Sequence, residues 1–247
     1  EKNLIIKTNK IKYQKKIEKL FSDNTTEINI NNNYIIKSNN IVFDRSNDLL
    51  SSDEITSITD NQQNQLLANE FRFFIKDQLI KARNATIKDE FGNSTFLESF
   101  MGTLNDNKFY GKNVKINFNN NTFGNVDNNP RLYGNIISSN KNKSKISKGV
   151  FTTCKKNDKC PPWELSAEEI IHDKNKKIIN YKNAWLQLYD KPVFYFPKFF
   201  HPDPTVKRQS GFLMPKINNS TFLGSSLQIP YYKVISNSED VTVSPRI

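Results

Sequence analysis

The sequence predicts an all-β protein, an open jelly roll built from stacked strand pairs. Three observations carry that prediction. Apolar and polar residues alternate in short runs, polar turn residues cut those runs into pieces of about six, and a strand-turn-strand pattern recurs about every 30 residues. The copies are Tyr34 to Asp60, Leu66 to Asp89, Phe96 to Phe118 and Trp163 to Asp190, the first three evenly spaced. Units that cannot bury an apolar face alone must stack on one another.

Each copy opens on a short apolar run and a small or polar residue (Ser38, Ala68, Ser99, Ala167). An apolar alternation, a polar turn and a second alternation follow. The second copy also tempts a helix, because Leu67, Phe71, Phe74 and Ile75 fall near helical spacing. The same letters alternate, with Phe71, Phe73 and Ile75 on one strand face and Arg72 and Lys76 among the interruptions. The turn signals "DRSND", "IKD", "NDN" and "DKNKK" favour strands throughout. The jelly roll is therefore expected over residues 25–190, after an N-terminal segment 1–24. An Asn/Ser/Lys-rich insertion at about 119–149 is expected as a loop or an added strand pair.

The chain of 247 residues can bury a sizeable core, and its formal net charge of +11 points to an anionic partner. The basic clusters "IKTNKIKYQKKIEK" and "SNKNKSKISK" lack the aromatic platform or recognition helix of a nucleic-acid reader, so nucleic acid is not the expected partner. No apolar run is long enough for a membrane-spanning helix, and the opening residues lack the apolar core of a signal peptide. The chain is thus expected to be cytosolic or to begin after processing. Cys154 and Cys160 share one loop, which favours a disulfide made in an oxidising compartment. The competing zinc reading needs four ligands, and only His172 and His201 could supplement the cysteines, at unsuitable spacing.

No catalytic constellation emerges. Nucleophile-elbow, zincin, P-loop and dinucleotide fingerprints are absent. Glu168 and Glu169 are adjacent in a strand pattern and so point to opposite faces, unlike a carboxylate pair across a cleft. The sequence reads as a non-enzyme with no cofactor or metal.

One segment remains unexplained by a soluble core. "KPVFYFPKFFHPDPTVKRQSGFLMP", Lys191 to Pro215, crowds aromatics and prolines together. With "CPPWELSAEEI" before it, "NAWLQLYD" leading into it and "GSSLQIPYYKVISNSEDVTVSPRI" after it, it closely resembles the lipopolysaccharide-assembly outer-membrane family LptD, the organic solvent tolerance family, in its alphaproteobacterial form. The resemblance is dense over about the last hundred residues and only general before them.

The resemblance implies a periplasmic jelly roll followed by an outer-membrane β-barrel. Residues 191–215 would be the junction at the membrane interface, where amphipathic rings sit; a buried loop is the alternative. Residues 216–247 would be the first barrel hairpin. Two strands cannot close a wall in lipid, so the sequence is expected to be part of a longer chain. The inward residues Leu67, Phe71, Phe73, Ile75, Phe96 and Leu165 would line a groove for lipid A acyl chains, or form its core. Pro230 and Pro245 would weaken barrel closure at a lateral gate. Cys154 and Cys160 would pair with each other here, or with barrel cysteines in a longer protein.

The implied partners are lipopolysaccharide, the outer membrane, an LptE-like plug lipoprotein and an LptA-like periplasmic bridge protein. The bridge protein is expected to add a strand to an edge within Thr26 to Phe43. The alternatives are a soluble lipopolysaccharide-bridge protein of the same fold, or a β-helical or sandwich glycan-degrading enzyme with acids clustered on successive repeats.

Overall fold

Alternating side chains and frequent turn residues leave this chain little choice but antiparallel hairpins, and hairpins are what it forms. The computed structural model describes residues 4–31, 33–106, 108–123, 127–155, 161–203, 205–206, 208–213, 216–220, 224–236 and 238–247. Two compact units result, Glu1–His201 and Pro202–Ile247.

The first unit contains β1 (Leu4–Gln14), β2 (Lys19–Ile30), β3 (Tyr34–Asn39), β4 (Val42–Asp44), β5 (Leu49–Ser52), β6 (Thr56–Asp60), β7 (Gln65–Phe74) and β8 (Leu79–Lys88). It continues with β9 (Ser94–Thr103), β10 (Lys108–Asn117), β11 (Arg131–Ser139), β12 (Lys143–Thr152), β13 (Trp163–Asp173), β14 (Ile178–Leu188) and β15 (Lys191–Pro202). All belong to one sheet, a meander from β7 to β15 in sequence order. At the other end β2, β3, β6, β7, β5 and β4 pair in a closed ring. The fold is an all-β jelly roll.

One row of residues crosses the sheet from β2 to β14 and interrupts the ladders between the long strands. Asn24, Asn40, Glu70, Asn84, Asn113, Lys148 and Asn183 have φ between +47° and +65°, the left-handed region that Asn tolerates better than most residues. The strand registers pass over this row, placing Glu98, Asn135 and Glu168 between Asn84, Asn113, Lys148 and Asn183. Each passage reverses the in-out alternation, so buried residues on either side are three apart: Ala82 and Ala85, Leu97 and Phe100, Ala167 and Ile170, Tyr181 and Ala184. Every long strand thereby has two arms meeting at the row, and the arms share continuous apolar clusters.

Glycine matters where the arms approach. A Cβ on Gly134 would lie 2.3 Å from Ile146 Cγ2, and one on Gly149 would lie 2.3 Å from Ile170 Cδ1. In the ring, where the break is complete, hydroxyls take over for missing ladder partners. Ser22 Oγ accepts from the Ile41 amide at 3.0 Å, and Ser52 Oγ donates to the Asn39 carbonyl at 2.7 Å.

Carboxylates shape the turns. Asp60 Oδ1 accepts from the Gln62 and Asn64 amides, and Asp89 Oδ1 accepts from those of Phe91 and Asn93, one D-x-x-x-N loop used twice. Asp44 and Asp173 accept the amides of Asn47 and Lys176 three residues on.

Several expectations meet different outcomes. The insertion at 119–149 contributes β11 and most of β12 in the same register as the rest, and is a further copy of the hairpin unit. Residues 1–24 include β1 and the start of β2. The bridge-protein edge placed within Thr26 to Phe43 is corrected: β2 is covered on one side by β1 and on the other by β3 and β4. The outermost strand at that end is β1, whose "IIKTNKIKYQ" was too lysine-rich to read as a strand. At the opposite end β15 extends the sheet to Pro202.

In the second unit β16 (Gly211–Phe212), β17 (Lys216–Ser220), β18 (Gly224–Gln228), β19 (Tyr231–Val234) and β20 (Asp240–Val243) form two small sheets.

Asn84→Val is expected to cost about 1–2 kcal/mol in chemical denaturation, because a β-branched residue resists the left-handed region, whereas Asn84→Gly should be near neutral. Gly134→Val should cost about 1–3 kcal/mol, with part of the loss recovered in combination with Ile146→Ala. The side-chain amide of Asn47 and then Lys19 hold the Asp44 carboxyl below its ordinary value, as the Lys176 backbone amide and then Lys143 do for Asp173. A lowered folded pKa contributes stability above the unfolded value of about 4 that is lost as pH falls through the folded one. Urea midpoints should therefore drop below about pH 4, and less steeply in Asp173→Asn.

Candidate functional site

Strand register aligns one side chain per strand into a row at right angles to the strands. On the first arm the register pairs run Ile6, Ile28, Ile36, Ile58, Leu66, Ile87, Thr95, Ile116, Leu132, Phe151, Leu165, Leu186. Only Thr95 interrupts the apolar series. At about 4.8 Å between strands the row spans roughly 50 Å.

Burial along the row changes character. Ile28, Ile36 and Ile58 lie in the core of the six-strand ring, which is closed over them. There Tyr34, whose hydroxyl is pushed above its ordinary pKa by burial, reaches across to donate to the Leu104 carbonyl of the other arm at 3.4 Å. From β7 onward burial is uneven: Leu66, Ile87, Ile116 and Leu186 are only partly buried, as are Phe118 and Trp163 beside the row, whereas Leu132, Phe151 and Leu165 are buried. Edge-to-face rings line this stretch, Phe118 with Phe151 at 6.4 Å and Phe151 with Trp163 at 6.0 Å between centroids.

The second arm carries a different row. Its pairs run Leu20, Phe43, Leu50, Phe73, Ile80, Gly102, Phe109, and then turn polar at Ser139, Ser144 and His172 before Ile179. Ser139 and Ser144 share a 2.8 Å hydrogen bond. Around β11 to β13, then, an apolar row on one arm is matched by a polar row on the other.

The residues named from sequence fall into three places. Phe71 and Phe73 are fully buried in the ring cluster, and Ile75 packs against it. Leu165 belongs to the long row. Leu67 and Phe96 face the other way, because the phase reversal at the row of left-handed residues turns Leu66, Ala68 and Leu97 inward instead; Lys115 Nζ lies 6.0 Å from the Phe96 ring centroid. Sequence reasoning missed Leu66, Ile87, Ile116, Leu132, Phe151 and Leu186. Only the register unites them.

At the end of the sheet the aromatics cluster. Val193, Phe194, Tyr195 and Phe200 on β15, with Trp185 on β14 and Tyr189 beyond it, are exposed. Phe196 and Phe199 pack inward, and Phe199 lies 5.6 Å from Tyr181. Burial raises the Tyr181 hydroxyl well above its ordinary pKa, and it shares a 2.8 Å hydrogen bond with His201 Nε2. Cys154 sets its Sγ 3.6 Å from the Trp163 carbonyl oxygen, while Cys160 lies outside the described residues, and with it the expected pairing. Among the described residues no group of three His, Cys, Asp or Glu could hold a metal ion.

In the second unit the two prolines sit on neighbouring rungs of one hairpin. β19 pairs with β20, and the pairing resumes at Gln228 with Arg246 and at Leu227 with Ile247, leaving the ladder interrupted around Pro230 and Pro245. Both prolines still accept, from the Leu213 amide at 2.8 Å and the Ile229 amide at 3.2 Å. Beyond them Tyr232 and Asp240 hold Arg208, with the guanidinium Nε 3.1 Å from the tyrosine hydroxyl.

Comparison with known proteins gives a consistent set of relatives. No protein-family model matches the chain. Curated proteins named LPS-assembly protein LptD are similar to it: that of Nitrosomonas europaea is 28% identical over 58% of this chain and 20% of its own length. That of Idiomarina loihiensis is 27% identical over 73% and 25%, and that of Ralstonia nicotianae 34% identical over 43% and 13%. The chain thus spans about a quarter or less of the length of the relatives it matches.

Leu132→Ala, at a buried point of the row, is expected to cost about 2–4 kcal/mol in guanidinium unfolding. Leu186→Ala, at a half-open point, should cost under half as much, since less of its surface leaves water on folding.

Proposed function

We propose that this chain is the periplasmic portion, with the first barrel hairpin, of a lipopolysaccharide-assembly protein of the outer membrane. In this reading it takes lipid A acyl chains along the half-open apolar row and passes them toward the barrel. The single observation that supports it most is the register-aligned row from Leu66 to Leu186, apolar save for Thr95, in which Leu66, Ile87, Ile116 and Leu186 stay only partly buried beside the buried Leu132, Phe151 and Leu165. A folded soluble core has no need to leave such a line part-exposed. Each methylene held there is worth about 0.8 kcal/mol against water, so several chains of a dozen carbons gain tens of kcal/mol. The interior of a preceding carrier offers the same gain, so transfer between carriers is near balance and its direction must be set elsewhere in the pathway.

Other features fit the same reading. The free edge of β1 offers backbone groups to a bridge protein that adds a strand. The exposed aromatics of β15 suit a lipid headgroup region. Pro230 and Pro245, which withhold ladder donors within one hairpin, suit a wall that must part for lipid to leave sideways. Catalysis has no part in this function.

A photo-crosslinking residue placed at Trp163, Leu186 or Ile116 in the full-length protein should capture lipopolysaccharide in cells. The same residue at Leu67 or Phe96, on the outer face of the same strands, should not. Equal capture from both faces, or capture from the outer face alone, would refute the transport role.

A further inference from the structure

The turns at the free ends of the second arm form a lip whose charge is not uniform. The tip between β4 and β5 carries Asp44, Arg45 and Asp48, and the tip between β7 and β8 carries Lys76 and Asp77. In the next, between β9 and β10, Asp106 is paired with Lys108 at 3.3 Å. These three tips are neutral or acidic, whereas the tip between β1 and β2 carries Lys15 and Lys16 with Glu18. The last two differ: residues 140–143 and 173–177 together hold Lys141, Lys143, Lys174, Lys176 and Lys177 against one carboxylate, Asp173.

These two tips are one object. The Lys174 amide donates to the Asn142 carbonyl at 2.9 Å, and its Nζ donates to the Asn140 carbonyl at 2.8 Å and to Ser139 Oγ at 3.3 Å. Lys174 is therefore engaged in joining the tips, and Lys143 faces Asp173 at 3.7 Å. Lys141, Lys176 and Lys177 are exposed, and none of their ammonium groups forms an ion pair within 4 Å or a hydrogen bond among the described residues, although the charge of Lys176 helps hold the Asp173 carboxyl below its ordinary value. Three exposed cations thus stand on one double tip beside the single carboxylate of Asp173. Directly inward on the same strands lie Ser139, Ser144 and His172, and Leu132, Phe151 and Leu165 occupy the other arm.

We propose that Lys141, Lys176 and Lys177 form a binding site for the multiply anionic, phosphorylated head of an amphiphile whose acyl chains lie on the apolar row of the other arm. The inference rests on the lipid-transport reading and adds a site to it: the last two hairpins select for head charge, while the row accepts any long acyl chain. Clustered ammonium groups that outnumber the nearby carboxylates attract phosphate at low ionic strength. Polar Ser139, Ser144 and His172 let the sugar part of such a head meet the wall without stranding its hydroxyls.

The test uses the purified chain, intact and as a Lys141→Ser, Lys176→Ser, Lys177→Asn triple variant, with asparagine at position 177 because its φ is +53°. Binding is measured to diphosphorylated lipid A, to dephosphorylated lipid A and to inorganic pyrophosphate. The intact chain should prefer the phosphorylated lipid by about tenfold or more, a preference that fades in high salt. The triple variant should lose that preference yet bind the dephosphorylated lipid as before, and the triple Lys→Arg variant should keep it. Retention of the preference in the serine variant overturns the site, as does pyrophosphate binding as tight as that of the lipid. Equal binding of both lipids by the intact chain overturns the site alone and leaves the transport reading standing, whereas binding of neither overturns both.

Discussion

The structure depends on one constraint: every long strand must reverse its alternation at the same transverse row. A regular strand sends side chains i and i+2 to one face, so a strand that bends without a phase change would carry apolar residues from the inside of one arm to the outside of the other. The left-handed residues at Asn24, Asn40, Glu70, Asn84, Asn113, Lys148 and Asn183 insert that change. Because each sits in register with its neighbours, the local irregularities add into one fold line. A single misplaced reversal would turn one arm of its strand inside out. Asparagine carries the burden at five of the seven positions, an apt choice in a chain with only eight glycines.

From that line outward the two arms can differ in chemistry while sharing a backbone. Close to the line, small residues such as Ala85, Gly134, Gly149 and Ala184 let the arms approach and the interior fill. Further out the first arm stays apolar on every strand but one, and the second arm becomes polar after β10. An amphiphile needs both surfaces within one molecule's reach. The ring at β2 to β7 serves a different end, since its fully buried Phe71 and Phe73 anchor the sheet where the edge strand β1 attaches.

The fold class was legible because hairpins advertise themselves locally. "DRSND" and "DKNKK" place Asp44 and Asp173 at turns by the same side-chain chemistry that made them recognisable. The D-x-x-x-N loops at Asp60 and Asp89, 29 residues apart, were available as a repeat signal and went unread. The hairpin of β11 and β12 stood open between a loop and an added strand pair, because "NKNKSKISK" hides Ile146 among lysines that belong to the outer face and the tip. Site residues fared differently. Phe71, Phe73 and Leu165 do face inward as plain alternation places them, whereas Leu67 and Phe96 face outward because that alternation was carried across a reversal. A positive φ at Glu70 leaves no mark in the sequence, since glutamate has no special preference for it. The near-helical spacing of the second copy is the same reversal seen from outside: buried residues three apart at Ala68 and Phe71 mimic one face of a helix.

Register also explains why the row of apolar residues could not be read from any single segment. Leu66, Ile87, Ile116, Leu132, Phe151 and Leu186 stand at unrelated intervals along the chain, and what unites them is the sum of residue numbers each hairpin turn fixes. Lengthening one turn by a residue would shift one strand's member of the row to the outer face without changing local propensity anywhere. The turns are thus under a stricter condition than loops that merely connect. Their carboxylate and amide hydrogen bonds, which set turn length, are as much a part of the apolar row as the side chains in it. A lipid path in this fold is therefore specified at the hairpin ends, in polar residues that never touch the lipid's tails.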